Sequence, residues 1–249
     1  MSTGPSIRLD QRLVSGGLVA SRSRARDLIL RGFVRVDGAV CLKPAQSVAA
    51  SASIELDAAL PAYVSRGAEK LNAALDAFAF DPKDRVCLDA GASTGGFTQV
   101  LLERGAAQVV AVDVGSSQLH ESLRGDARVI VMEGCDIRTI EAQHMPSPPG
   151  AVVADLSFIS VTKALTGILA LAAPGAFLVI LVKPQFELTP ADIGKGGIVR
   201  DAESRARAVA SVEGYVDSLP GWRVTGVIPS PITGGSGNQE FLLGAVKHA

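Results

Sequence analysis

From Gly67 onward the chain alternates two kinds of hydrophobic pattern. GAEKLNAALDAF carries apolar residues at helical spacing, whereas RVCLDA, AQVVAVD, RVIVME, GAVVAD and AFLVILVK are short apolar runs between turn residues. Such runs belong to strands buried on both faces of a parallel sheet. The stretches between them are expected to be mostly helical. DAESRARAVASVEGYVDSL reads as the last helix, and WRVTGVIPS with QEFLLGAVK as a late antiparallel pair. The alternation predicts an α/β fold with an open, mostly parallel sheet and helices on both faces.

Ala164–Val182 is nineteen residues without a charge, near the length of a membrane span. Pro174-Gly175 divides it. The first half is expected to be a buried helix and AFLVILV a sheet strand.

Residues 7–57 follow other rules. RLDQRLVSGGLV predicts a short helix with Leu9, Leu13 and Leu18 inward, closed by Gly16-Gly17. Ser21 is the expected N-cap of a second helix that ends at Gly32 and buries Leu28 and Ile29. FVRVDGAV alternates around Asp37-Gly38, a hairpin signal, and SIELD adds a strand. The result is a small α+β unit, a linker at residues 58–66, and the α/β body at 67–249.

Charge separates the two parts. From Arg8 to Lys43 eight Lys/Arg face three Asp, a balance of +5, which leaves −6 for the rest of a chain of net charge −1. The plain reading of the arginine-rich helix is a solvated face. With so few acids interleaved, i,i+4 pairing is not expected to neutralise it, so phosphate-backbone binding is favoured. RLDQRLVSGGLVASRSRARDLILRGFVRVDG, continued by Lys43-Pro44, resembles the S4 RNA-binding domain. The resemblance implies that Arg8, Arg22, Arg24, Arg26, Arg31 and Lys43 grip RNA phosphates, reading shape rather than base sequence.

With 47% hydrophobic residues a sizeable core is expected. The three cysteines are odd in number and widely spaced, so neither a disulfide framework nor a zinc site is expected, and a reducing, cytoplasmic setting is. The first ten residues lack the apolar core of a secretory signal.

Asp89-Ala-Gly-Ala-Ser-Thr-Gly-Gly-Phe-Thr98 follows a strand and opens a helix. Gly91, Gly95 and Gly96 permit a sharp turn and close approach to a ligand, and Asp113 ends the next strand, where a carboxylate meets ribose hydroxyls. A simple tight turn with a capping aspartate is the alternative. The spacing is not a dinucleotide fingerprint, and no Gly-Lys-Ser/Thr suits a nucleoside triphosphate. D-x-G-x-S-T-G-G-F-T resembles the S-adenosylmethionine motif of class I methyltransferases, whose fold is Rossmann-like. That implies Asp89, Gly91, Ser93, Thr94, Gly95, Gly96 and Phe97 around the methionine part, Asp113 on the ribose and Asp136 near adenine.

Four charged residues fall at element ends along this edge: Lys70, Asp155, Lys183 and Glu240. Asp155 and Lys183 each terminate a very apolar strand, which makes them hard to dismiss as solvated charges. The set resembles the Lys–Asp–Lys–Glu tetrad of FtsJ/RrmJ-type ribose 2′-O-methyltransferases. An alcohol becomes a good nucleophile only when its proton is removed or its developing charge stabilised. By that resemblance Lys183 takes the proton, with Lys70 as a second cation disfavouring the charge of Lys183, while Asp155 and Glu240 fix the geometry.

S-R-G-x-x-K-L, A-D-L-S-F-I-S, K-P-Q-F-E, G-K-G-G-I-V-R-D and G-N-Q-E-F, together with the glycine loop, resemble the TlyA family across nearly the whole chain. Ala68 and Cys135-Asp136 depart from the usual pattern without touching the tetrad. The resemblance implies an rRNA (cytidine-2′-O)-methyltransferase acting on rRNA or ribosomal subunits. The chain runs nine residues past Glu240, which on this pattern favours the 23S over the 16S target. A membrane-active hemolysin and a non-catalytic RNA-binding protein are the rival readings.

Overall fold

The computed structural model describes residues 6–19, 22–57 and 63–249; Ser21, the expected N-cap, and residues 58–62 of the linker lie outside the described residues. The N-terminal part contains β1 (Ser6–Arg8), α1 (Leu9–Ser15), α2 (Arg22–Leu30), β2 (Val34–Val36), β3 (Ala39–Val40), β4 (Ser47–Ala49) and β5 (Ile54–Leu56). β1 pairs antiparallel with β4, and β2 lies between β3 and β5. The β2–β3 turn uses positive φ at Asp37 and Gly38, as the Asp-Gly pair predicts. Leu9, Leu13, Ala25, Leu28, Ile29, Val34, Cys41 and Val48 form the core.

Leu18 is not part of it. The Leu18 amide bonds back to the Leu13 carbonyl and Gly17 adopts φ +70°, so the chain turns away and leaves Leu18 42% exposed.

The body runs α3 (Gly67–Phe78), β6 (Val86–Ala90), α4 (Gly96–Glu103), β7 (Gln108–Asp113), α5 (Glu121–Arg124), β8 (Val129–Glu133), β9 (Ala151–Ala154), α6 (Val161–Ala164), α7 (Thr166–Leu171), β10 (Phe177–Val182), α8 (Pro184–Glu187), α9 (Ala202–Ser218), β11 (Trp222–Pro229) and β12 (Phe241–Lys247). The sheet order is β11-β12-β10-β9-β6-β7-β8, parallel except for β12, which runs against both neighbours. One apolar cluster fills each face of the sheet. Every residue of β10 is buried, and the uncharged stretch divides at Pro174-Gly175 into a helix and this strand. Among the described residues no helix is long and apolar enough to cross a membrane.

The connections are less helical than expected. Between β8 and β9 there are only two short 3-10 turns, Ile137–Thr139 and Ala142–His144. Pro146, Pro148 and Pro149 follow them and withhold the amide donors a helix needs. α5 has four residues.

The topology fixes where chemistry can occur. From β6 the chain moves outward through β7 and β8, then crosses back to place β9 on the other side of β6. The reversal opens a crevice at the carboxyl ends of β6 and β9, the place where open α/β sheets bind ligands.

β12 supplies a test of the packing. A Cβ on Gly244 would lie 2.6–2.8 Å from ring atoms of Phe78, while β10 and β11 hold the strand on both sides. Gly244→Ala is expected to cost about 1–3 kcal/mol through overpacking, read from the urea midpoint at unchanged slope.

Candidate active site

β6 delivers Asp89 and Ala90 to the crevice, and the chain then turns on Gly91 at φ +87°. A Cβ there would lie 2.5 Å from the Asp155 carbonyl oxygen, so the ends of β6 and β9 approach as closely as they do only because residue 91 is glycine. At Gly95, φ +98°, a Cβ would strike the side chains of Leu119 and Leu123. Gly96 then starts α4.

The carboxylates have distinct duties. Asp113 accepts from the Ser93 amide at 2.8 Å and the Gly115 amide at 2.7 Å, tying the glycine loop to the loop after β7. Glu133 accepts from the amides of Ser117, Gln118 and Leu119 and from Arg124. Desolvation alone would raise its carboxyl, but these donors prevail and hold it down at about 2. Asp89 is fully buried; one oxygen accepts from the Thr98 hydroxyl at 2.6 Å and the other has no partner. Burial outweighs the Thr98 bonds and pushes the Asp89 carboxyl up to about 7. Asp136 accepts from the Arg138 guanidinium through both oxygens, which with the Arg138 amide holds its carboxyl down at about 2. Its acceptors are therefore already engaged by a neighbour two residues away.

Two cavities open along this edge. One, of about 540 Å³, is lined by Ser93, Asp113, Gln118, Asp136, Ile137 and Leu156 among others. The other, of about 590 Å³, is lined by Arg22 and Arg26 of α2, Lys70, Thr94, Gly96 and Phe97. Gly91, Ser93, Asp155, Ser157 and Phe158 belong to both, forming the wall between them.

Of the four charged residues, Asp155 lines both cavities and Lys70 one; Lys183 and Glu240 line neither and reach the wall through their partners. Lys70, in the first turn of α3, contacts Glu240, and both are buried. Lys183 follows β10, pairs with Asp155 at 2.7 Å and donates to the Ser157 hydroxyl at 2.7 Å. Burial would raise the Asp155 carboxyl, but the ammonium groups of Lys183 and Lys70 hold it below the ordinary carboxylate range. Each ammonium thus has its own carboxylate: Glu240 beside Lys70 and Asp155 beside Lys183.

Sequence reasoning missed two residues here. Phe158 has φ +65° and is 91% exposed on the shared wall, its ring tilted against that of Phe186. Asn238 is buried, accepts from the Val199 amide at 2.9 Å and donates to the Gly197 carbonyl at 2.8 Å. It ties the Gly194–Ile198 turn to the loop that carries Glu240.

The arginines divide into two groups. Asp27 is within 3.5 Å of Arg24 (i,i+3) and of Arg31 (i,i+4), so helical pairing engages both, although one carboxylate cannot neutralise two guanidiniums. Arg24 donates to the Val64 carbonyl, Arg31 to that of Tyr63 at 3.3 Å, and the Arg66 amide donates to Asp27 at 3.1 Å. These groups join α2 to the segment leading into α3. Arg22, Arg26, Arg8 and Lys43 are exposed, though Arg8 and Arg22 share the buried Asp10.

Asp89 generates a pH prediction. Between about pH 4 and 7 the folded protein keeps a proton there that the unfolded chain has released, so its contribution to stability falls as pH rises through that window. Glu133 and Asp155, held low, act with the opposite sign and only at more acid pH. The ligand-free protein is expected to lose more melting temperature between pH 5 and pH 8 than Asp89→Asn does, as calorimetric scans of both would record.

Two family profiles match the chain: the S4 domain at residues 7–54 and the FtsJ-like methyltransferase at residues 63–247. The chain is 48% identical over 237 residues to the 16S/23S rRNA (cytidine-2′-O)-methyltransferase TlyA of Mycobacterium tuberculosis, covering 95% of this chain and 88% of that protein. It is 39% identical to hemolysin A of Brachyspira hyodysenteriae, covering 95% and 98%. A solved structure of a candidate hemolysin from Streptococcus thermophilus is similar with a TM-score of 0.76 at 38% identity, covering 98% and 89%. With an S4 domain ahead of an FtsJ-like body, and with this identity sustained along almost its whole length, the chain belongs to the TlyA family of FtsJ-like methyltransferases.

Proposed function

We propose that the protein transfers a methyl group from S-adenosylmethionine to the ribose 2′-hydroxyl of a cytidine in ribosomal RNA. The observation that carries the reading is the Lys183–Asp155 ion pair, whose Asp155 lines both of two adjoining cavities, with the Lys70–Glu240 pair beside it; α2 lines one of those cavities with Arg22 and Arg26. The mycobacterial relative, 48% identical, carries that activity in its name. The division of labour we infer is an RNA-gripping module at 7–57, a joint at 58–66 and a methyltransferase body at 67–249, working in the cytoplasm on rRNA or ribosomal subunits without stable membrane association.

The cavity beside Asp113 fits the cofactor. Its size is that of a small-molecule site, and the carboxylates of Asp113 and Asp155 suit a ligand carrying positive charge. The buried Asp89 oxygen without a partner and the close approach at Gly91 mark the methionine end. Of this segment Gly91 and Ser93 line the cavity itself, while Thr94, Gly96 and Phe97 line the neighbouring one and Gly95 makes the turn between them, with Asp113 toward the ribose. Asp136 reaches adenine only by sharing what it now gives to Arg138. Bound there, S-adenosylmethionine supplies an electrophilic methyl group on a cationic sulfur.

The chain's own residues do the rest. Ser157 already places a hydroxyl 2.7 Å from Lys183 Nζ, which is where a substrate alcohol would be held. Lys183 in its amine form accepts the alcohol proton, and Asp155 stabilises the ammonium that results. Lys70 and Glu240 fix the far side of the nucleotide. A nucleotide must leave its helix to reach this wall, and the free face of Phe158 is placed to stack on its base.

Mapping ribose methylation in 16S and 23S rRNA from cells with and without the protein tests the assignment; loss of no methyl group would overturn it. In single-turnover assays at saturating RNA, Lys183→Ala is expected to lose ~10²–10⁴-fold or more in rate. Lys183→Arg is expected to fail as well, because a guanidinium does not give up its proton in a protein. An active arginine variant would leave Lys183 only an electrostatic role.

RNA affinity supplies a separate check. Arg22→Ala and Arg26→Ala should each lower the log–log salt slope by roughly 0.7–0.9. Arg24→Ala and Arg31→Ala, whose guanidiniums hold the joint, should instead lower the melting temperature.

A further inference from the structure

The Asp155–Ser160 loop is an unlikely shape to persist unaided. Phe158 keeps positive φ without being glycine and leaves its ring in water, both at a cost in free energy. A facing segment holds the loop at three places. Pro184 begins α8, so Lys183, Phe186 and Glu187 follow at i, i+3 and i+4 and share one side of a single turn. Lys183 meets Asp155 and Ser157; the Phe186 ring tilts against Phe158 with centroids 5.2 Å apart; Glu187 accepts from the Ser160 hydroxyl at 2.5 Å and the Val161 amide at 3.0 Å. The first contact belongs to the chemistry already described. The third does not: Glu187 bonds Ser160 and Val161, which lie outside the two ion pairs.

We infer that Glu187 is a positioning residue for the RNA substrate: through Ser160 and the Val161 amide it pins the far end of the Asp155–Ser160 loop and so keeps Phe158 presented to the target base. This rests on the proposed role of Phe158 in stacking. Glu187 closes the loop where Ser160 also caps α6, so that the loop is anchored at Asp155 by Lys183 and at Ser160 by Glu187, with Phe158 midway. Release of one anchor lets the strained Phe158 relax to an ordinary conformation, and the ring then leaves the shared wall.

The test is a double-mutant cycle of Phe158→Ala and Glu187→Ala in single-turnover methylation of rRNA at saturating RNA, with hydrogen exchange of residues 157–161 in the RNA-free protein. Each single variant is expected to lose about tenfold or more in rate, and the double variant no more than Phe158→Ala alone. Glu187→Gln should recover most of the rate, because the Ser160 hydroxyl can accept from the amide as readily as it donates to the carboxylate. Exchange at 157–161 should quicken in Glu187→Ala and stay unchanged in the rest of the body. Multiplying losses in the double variant, or unaltered exchange, would overturn the inference. If Glu187→Ala does not fold, Ser160→Ala, which removes one of the two bonds, enters the same cycle with the same criteria. Exchange decides the anchoring independently of the reaction, whereas absence of rRNA methylation by the unaltered protein would count against the proposed function alone.

Discussion

The meeting of β6 and β9 governs the site, and Asp155 is where they meet. Its amide donates to the Ala90 carbonyl, its own carbonyl presses on Gly91, and its carboxylate holds Lys183 within the field of Lys70. One residue thus closes the sheet, shapes the glycine turn and sets the charge of the wall. The crevice exists because the strand order reverses there, and the reversal is affordable because every strand beside it is buried on both faces. Packing puts the strand ends in place, and electrostatics uses what packing delivers.

Charge balance is the second constraint. Two ammoniums and two carboxylates in a half-buried space would be costly in any other count, since each unpaired ion would retain its desolvation penalty. Pairing makes the cluster stable in the resting protein, with each charge answered by a neighbour. The same logic separates the other acids. Glu133 spends its charge on three backbone amides to shape a loop, whereas burial of Asp89, whose side chain has a single hydroxyl partner, raises its carboxyl to about 7.

The sheet was legible because its signal is local: each strand from β6 to β10 is a run of apolar residues, and the late antiparallel pair follows from two more. The positions of Lys70, Asp155, Lys183 and Glu240 were legible as element ends, but not their partition into pairs, which depends on the 170-residue separation of Lys70 from Glu240 closing in space. Leu18 escaped because a hydrophobic residue just beyond a glycine turn has the spacing of the helix without its geometry. Arg24 and Arg31 were misjudged for a related reason. Their carbonyl partners lie 32 to 40 residues away, and no local pattern reports that. Phe158 was invisible because exposure of an aromatic ring is a property of the finished surface.

The joint around Asp27 is made of guanidiniums, the carboxylates of Asp27 and Glu69, and backbone groups of residues 63–66. Water can take over each of those bonds, so the joint adds orientation more than strength. It also makes the parts hard to exchange. A foreign RNA-binding module grafted onto this body would have to bring a carboxylate at the position of Asp27, or leave Arg66 facing a neighbour unable to answer it.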